Sequence, residues 1–274
     1  VTSIPFGQLY RTLTRELSRR ETRSIEDGPT PDELALEAQW ADELESILIA
    51  LYLLVVVRLD QLPRTSEAAV RAWLEDQYRA DPLATVPLLL SLQTWLRRGV
   101  DLGGASALEL LGYGGLPFHL TDPVLLAAID AFATQLVTIG GDLSLLDTTI
   151  DDLSSTLWGA IAADPAVEVA ALATAVQDRA AVRSALRANL IAESEISRSL
   201  NAGLVWTYDR NGVPRVQFWP REDACDICEP DRGKAFPVTA IPAAYEIPRH
   251  VRCRCIWLPV GFESVSVVWT GGTV

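Results

Sequence analysis

The 274-residue chain has no methionine, only two histidines and no cysteine before position 225. Its longest uninterrupted apolar run, residues 47–57, is 11 residues long and is bounded by Glu45 and Arg58. A helix needs roughly 17 to 25 apolar residues to cross a bilayer, so this run predicts a packed core helix and no membrane span. Positive charge is scarce: 23 Lys and Arg face 36 Asp and Glu, for a net charge of −13. That excludes a protein that coats nucleic acid by broad phosphate neutralisation, and leaves Arg249, Arg252 and Arg254 as the one local basic cluster near the cysteines. Direct nucleic-acid contact is therefore expected to be weak or absent. Gly112-Tyr113-Gly114-Gly115 lacks the following Gly-Lys-Ser/Thr of a phosphate loop and the spacing of a dinucleotide fingerprint. The first residues form no apolar signal-peptide core, because Arg11, Glu16 and Arg19 interrupt them, so the expectation is assembly in a reducing cytoplasm. A start at Val1 is compatible with a valine-coded start or a processed terminus.

What cysteine there is lies together. Cys225-Asp226-Ile227-Cys228 is answered, after 21 intervening residues, by His250-Val251-Arg252-Cys253-Arg254-Cys255. Two thiolates separated by two residues turn toward one tetrahedral ion, and a second Cys/His group returns across it to complete the shell. Sulfur and imidazole donors suit a borderline-soft metal, whereas calcium and magnesium require oxygen. The pattern predicts a structural zinc site drawn from Cys225, Cys228, His250, Cys253 and Cys255. These are five donors for four positions, and the spacing leaves Cys253 and Cys255 as alternatives. In an extended segment they point to opposite faces, so one binds and the other packs. The rival readings are two disulfides in any of three pairings, which leave His250 idle, or unbridged buried thiols. A redox Cys-x-x-Cys is disfavoured because Pro230 and Gly233 break the helix start such a site uses. Catalytic zinc requires an open water position and a general base, and the nearby acids Glu229, Asp231 and Glu246 read as solvated.

Ahead of the cysteines the patterning is helical. Helices are predicted over 6–24 (Leu9, Leu13 and Leu17 on one stripe), 31–59, 65–80, 83–97 with Pro87 bending or delaying the start, 122 to before Gly140, 148–162, and from Asp164-Pro165 to Asn201 or Gly203. Thr30-Pro31-Asp32-Glu33 has the composition of a helix start. The all-round apolar face of residues 47–57 predicts burial between several elements. Gly99 to Gly115, with six glycines, reads as a flexible loop or a short helix with glycine ends, and His119 stands alone. Beyond Gly203, residues 204–208 and 213–219 read as a β-hairpin turned by Asp209-Arg210-Asn211-Gly212, and 256–260 and 265–269 as two further strands. Trp206, Trp219, Trp257 and Trp269 are expected as core or interface aromatics. The fold class predicted is a mainly α-helical body with a small C-terminal α+β module that contains a β-hairpin and the zinc-tied Cys/His knot.

Residues 185–260 resemble the head-morphogenesis domain of tailed-phage minor capsid proteins, the phage Mu protein F-like family. The features that carry this are the helical run from Ala192 to Gly203, Phe218-Trp219, Asp223, Cys225-Asp226-Ile227-Cys228, Gly233-Lys234-Ala235-Phe236, and Pro248-Arg249-His250 leading into Cys253-Arg254-Cys255. Ser194 stands where the family commonly has Thr. The resemblance implies a non-enzymatic virion protein placed inside the head at or near the portal vertex in multiple copies. Its implied partners are the portal protein and major capsid or other internal head proteins, and its implied role is head assembly, with an association with DNA packaging or delivery. It also implies that Glu195, Arg198 and Asn201 brace the sheet and the knot. Residues 1–164 are then a helical scaffold or portal-interacting region, and 165–274 a long helix plus the zinc module. Two other classes stay open at this point, a metal-dependent hydrolase or toxin and a DNA-binding internal virion protein.

Overall fold

Helix starts are written into the sequence as side chains that satisfy the orphan amides of a first turn. Ser66 Oγ accepts from Ala69 N at 3.1 Å, Asp122 Oδ1 from Val124 N and Leu125 N at 2.8 and 3.1 Å, and Ser144 Oγ from Asp147 N at 3.1 Å. The helices are α1 (Pro31–Leu53), α2 (Glu67–Ala80), α3 (Pro82–Leu110), α4 (Pro123–Val137), α5 (Leu145–Ala163) and α6 (Val169–Arg210). Three strands follow, β1 (Arg215–Trp219), β2 (Ala235–Pro237) and β3 (Ile256–Val260). The computed structural model describes residues 28–113, 116–141, 143–221 and 225–261. The helix expected over 6–24, the strand expected over 265–269 with Trp269, Gly114, Gly115 and Asp223 lie outside them. Among the described residues no helix is long and apolar enough to cross a membrane.

The described chain packs as two compact units, with the boundaries at Arg98/Gly99 and Ile196/Ser197 falling inside helices. A helical unit comprises Asp32–Arg98 and Leu120–Ile196; a Cys/His unit comprises Gly99–His119 and the described residues from Ser197 onward. In the helical unit, Trp40, Leu44, Leu48, Leu51 and Tyr52 of α1 are buried, as are Val70, Leu74 and Tyr78 of α2 and Leu146, Ile150, Leu153 and Leu157 of α5. Each fully buried Leu contributes about 1.5 to 3 kcal/mol relative to an exposed one. The helix does not run to residue 59: α1 ends at Leu53, and a 3-10 turn covers Val56–Gln61, closed by Arg58 N to Val55 O at 3.0 Å. The three consecutive valines resist the α-helix through their stiff branched side chains. Burial there is also one-sided, since Val57 is 81% exposed while Val55 and Leu59 are buried.

A polar cluster crosses the same unit. Asp152 of α5 accepts from Tyr52 Oη at 2.7 Å and from Arg179 Nε at 2.9 and 3.0 Å, and Arg187 donates to Tyr52 Oη at 3.2 Å and Thr149 Oγ1 at 2.9 Å. Burial acts to raise the Asp152 carboxyl, but the hydrogen bonds from Arg179 and Tyr52 outweigh it and hold the group below its ordinary value. The helix expected over 148–162 starts earlier, at its Ser144 cap, so Asp151 and Asp152 lie inside α5 and Asp147 occupies the first turn.

The Cys/His unit departs from the expected secondary structure in two places. Residues 99–110 form neither a loop nor a separate short helix, because the preceding helix α3 runs on to Leu110. Its glycines serve close approach: a Cβ on Gly103 would lie 2.0 Å from Leu200 O of α6, and one on Gly203 would lie 2.3 Å from Val100 O. Residues 204–208 are not a strand either, since α6 continues to Arg210. Val213 N donates to Tyr208 O at 3.0 Å and Gly212 N to Asp209 O at 3.1 Å, with Gly212 at φ 72. This is a left-handed glycine cap that ends a helix and satisfies its last carbonyls. The partners of β1 are instead β2 and β3, in an antiparallel sheet of order β2-β1-β3, with Val216 opposite Phe236 and Phe218 opposite Trp257. The fold class, a mainly helical chain with a small C-terminal α+β module and a Cys/His cluster beside its sheet, is the one the sequence predicts.

Candidate metal centre

The loop between β1 and β2 is drawn back on itself by backbone hydrogen bonds. Cys228 N and Glu229 N both donate to Cys225 O, at 2.9 and 3.0 Å, so residues 225–228 form a tight turn that leads into a 3-10 turn over Glu229–Asp231. Gly233 N donates to Phe218 O and Phe218 N to Lys234 O, both at 2.8 Å, which fixes the end of this loop to β1. A second turn forms ahead of β3, where Cys253 N donates to His250 O at 3.1 Å and Arg252 takes a left-handed φ of 63.

These turns bring the donors together. His250 Nε2 lies 3.0 Å from Cys225 Sγ and 3.3 Å from Cys228 Sγ. The other ring nitrogen, Nδ1, is 2.8 Å from Val251 O. A carbonyl only accepts, so Nδ1 carries the hydrogen and the Nε2 lone pair is directed at the two sulfurs. An outer hydrogen bond of this kind orients a histidine ligand and fixes its tautomer. Cys225, Cys228 and His250 form one group whose ligand atoms all lie within 4.8 Å of one another; Cys228, Cys253 and Cys255 form a second. Cys228 belongs to both. All four cysteines are free thiols, and Cys228, Cys253 and Cys255 are only 0%, 1% and 3% exposed. With a metal–sulfur bond of about 2.3 Å, the edge of a sulfur tetrahedron is on the order of 3.8 Å, so each group lies close enough to share an ion. Cys253 and Cys255, the two alternatives for the fourth position, both lie beside Cys228.

The electrostatics of the sulfur cluster follow from proton sharing. Hydrogen bonding from Cys255 brings the Cys253 thiol down to about 5, and that same bond, with burial, pushes Cys255 far up. Burial, joined by the charge on Cys253, raises Cys228 to about 12. A lone set of packed thiols thus resists further ionisation, whereas a divalent cation reverses that balance and deprotonates its ligands. Soft donors, a directed imidazole lone pair and a sulfur-rich interior fit a metal ion.

Charged and aromatic groups hold the two turns to each other. Asp231 pairs with Arg249 at 2.6 Å and with Lys234, and Lys234 Nζ donates to Tyr245 Oη at 3.0 Å. Arg249 also stacks over Phe218 and Tyr245, at 5.4 and 5.1 Å from the ring centroids. Hydrogen bonds from Lys234 and then Arg249 hold the Asp231 carboxyl below its ordinary value. Asp231 is therefore engaged by two cations, and Glu229 is paired with Arg232 at 2.7 Å. Of the bracing residues predicted on α6, Asn201 reaches the sheet directly: Nδ2 donates to Cys255 O at 3.0 Å and Oδ1 accepts from Trp257 N at 3.1 Å. Glu195 is buried and Arg198 half-buried on the same helix.

Two contacts of the site are not legible in the sequence: the pairing of Asp231, which reads as a solvated acid, with Arg249, and the hold of Tyr208 on β3. Asp231 and Arg249 were separated by 18 residues with no periodic link, although their opposite charges on either flank of the knot were visible. Tyr208, whose Oη donates to Trp257 O at 3.3 Å, was hidden by its assignment to a strand. No protein-family model, curated protein or solved structure matches the chain.

Proposed function

We propose that this protein is a structural minor capsid protein of a tailed phage, acting in head assembly at or near the portal vertex, and that its Cys/His unit is held in shape by a zinc ion. The observation that carries this reading is the convergence of Cys225, Cys228, His250, Cys253 and Cys255 beside a small sheet that Asn201 joins to the end of a long helix. That is the order of helix, strand and Cys/His motifs on which the resemblance rests. Zinc is the ion that best suits thiolate and imidazole donors in a closed shell without redox chemistry. A structural role fits two acids that follow the first turn, since Asp231 and Glu229 are both committed to cations and neither is poised as a base. The surplus of negative charge fits protein partners, the portal protein first among them and the major capsid or other internal head proteins second, in preference to DNA. Several copies would surround the portal inside the head.

Cryo-electron microscopy of intact particles, reconstructed with symmetry relaxed around one vertex, tests the placement. Density for this chain against the portal is the expected result. A uniform distribution through the shell would contradict it.

A further inference from the structure

The two segments that supply donors share one backbone plan. Residues 225–228 close through Cys228 N to Cys225 O at 2.9 Å, and residues 250–253 close through Cys253 N to His250 O at 3.1 Å. In each four-residue turn the first and last residues carry a donor atom, so each turn presents a pair. The second turn keeps Arg252 in the left-handed region at φ 63. A non-glycine residue there is held against backbone strain, and it persists where the surroundings require that shape. The shape belongs to the turn that brings the Cys253 backbone back to His250, with the Cys253 sulfur beside Cys228. Cys255 is positioned by other forces: its carbonyl accepts from Asn201 Nδ2 at 3.0 Å, and the next residue, Ile256, is already paired with Trp219 in the sheet.

We infer that the metal is held by two matched turns, Cys225–Cys228 and His250–Cys253, and that Cys255 is a fifth sulfur outside the coordination shell. This rests on the Cys/His cluster binding a metal. Proximity does not separate the candidates, because Cys253 and Cys255 both lie within 4.8 Å of Cys228. The turn does: with Cys255 as ligand, the closed and strained 250–253 turn would present only one donor. Cys255 then acts as a positioning residue, a buried thiol able to donate its S–H to a metal-bound sulfur as outer partners of metal ligands do.

The test is ligand identification on the full chain loaded with NMR-active cadmium, through correlations between the metal and protons of its ligands. The inference expects correlations to the β-protons of Cys225, Cys228 and Cys253 and to the His250 ring, with none to Cys255. A correlation to Cys255 in place of Cys253 would overturn the assignment while leaving the metal reading intact. Failure to bind cadmium, cobalt or zinc at all would overturn both. Cobalt spectra of two variants provide an independent reading. Cys255→Ser should keep the thiolate-to-metal absorption of the parent at full intensity, and Cys253→Ser should lose about a third of it, one thiolate of three. The reverse pattern would refute the assignment.

Discussion

Cys228 is the residue on which the centre turns, because it alone belongs to both donor groups. Cys228→Ser should therefore abolish stoichiometric metal binding, with a loss at least as large as that from Cys225→Ser, measured by competition with a chromophoric chelator. Asn201 has a different task. Its amide meets one carbonyl and one N–H of the chain around Cys255 and Trp257, and both its oxygen and its nitrogen are used. Asn201→Ala leaves buried backbone groups unpaired, which costs about 1 to 3 kcal/mol for each such group. A urea midpoint lowered to match, with metal still bound at saturating concentration, is the expected outcome; an unchanged midpoint would remove Asn201 as the link between α6 and β3.

Helix packing makes the clearest demand at the next scale. Gly103→Ala and Gly203→Ala each drive a methyl group into backbone of the neighbouring helix, within 2.0 and 2.3 Å of a carbonyl oxygen. Overpacking of this kind destabilises by roughly 1 to 3 kcal/mol or more. Gly159, in the middle of α5, has no atom within 4 Å of the added position, so Gly159→Ala should instead raise stability by up to about 1 kcal/mol. Thermal melts of the three variants separate the two cases. The same helices explain why the elements were only partly legible. Capping residues such as Ser66 and Asp122, and the proline at the start of α4, mark boundaries locally, and these starts are readable. A glycine-rich run looks the same whether it serves a loop or a helix contact, because the second helix that needs the space is distant in sequence. Val205, Trp206 and Thr207 have strand-like side chains, and Asn211-Gly212 serves a hairpin or a helix cap equally well. Packing of Leu204 and Tyr208 in the core decides for the helix.

At the scale of the whole chain, α3 and α6 each contribute to both compact units, a discontinuous arrangement that local patterning does not encode. The Cys/His constellation was legible because four cysteines and a histidine within 31 residues need no long-range information, while the Asp231–Arg249 pair and the hold of Asn201 and Tyr208 on β3 depend on the completed fold. Acid stability belongs to this scale too. The folded Asp152 carboxyl sits below its ordinary value of 3.8, so its stabilisation is fully present above that value and is lost as pH falls through the folded value. Asp152→Asn should destabilise the helical unit at neutral pH and flatten the acid limb of a stability–pH profile; a profile identical to the parent's would contradict this. The proposed metal would have the larger claim on the Cys/His unit, because the donors able to hold it come from two turns that an ion would tie together. The most direct measurement is native mass spectrometry of the full chain prepared without chelator, followed by chelation and near-ultraviolet circular dichroism. The account predicts one zinc ion per chain, four reduced cysteines, and loss of the aromatic signal of the Cys/His unit when zinc is withdrawn. A metal-free chain with two disulfides, or a spectrum unchanged by chelation, would contradict it.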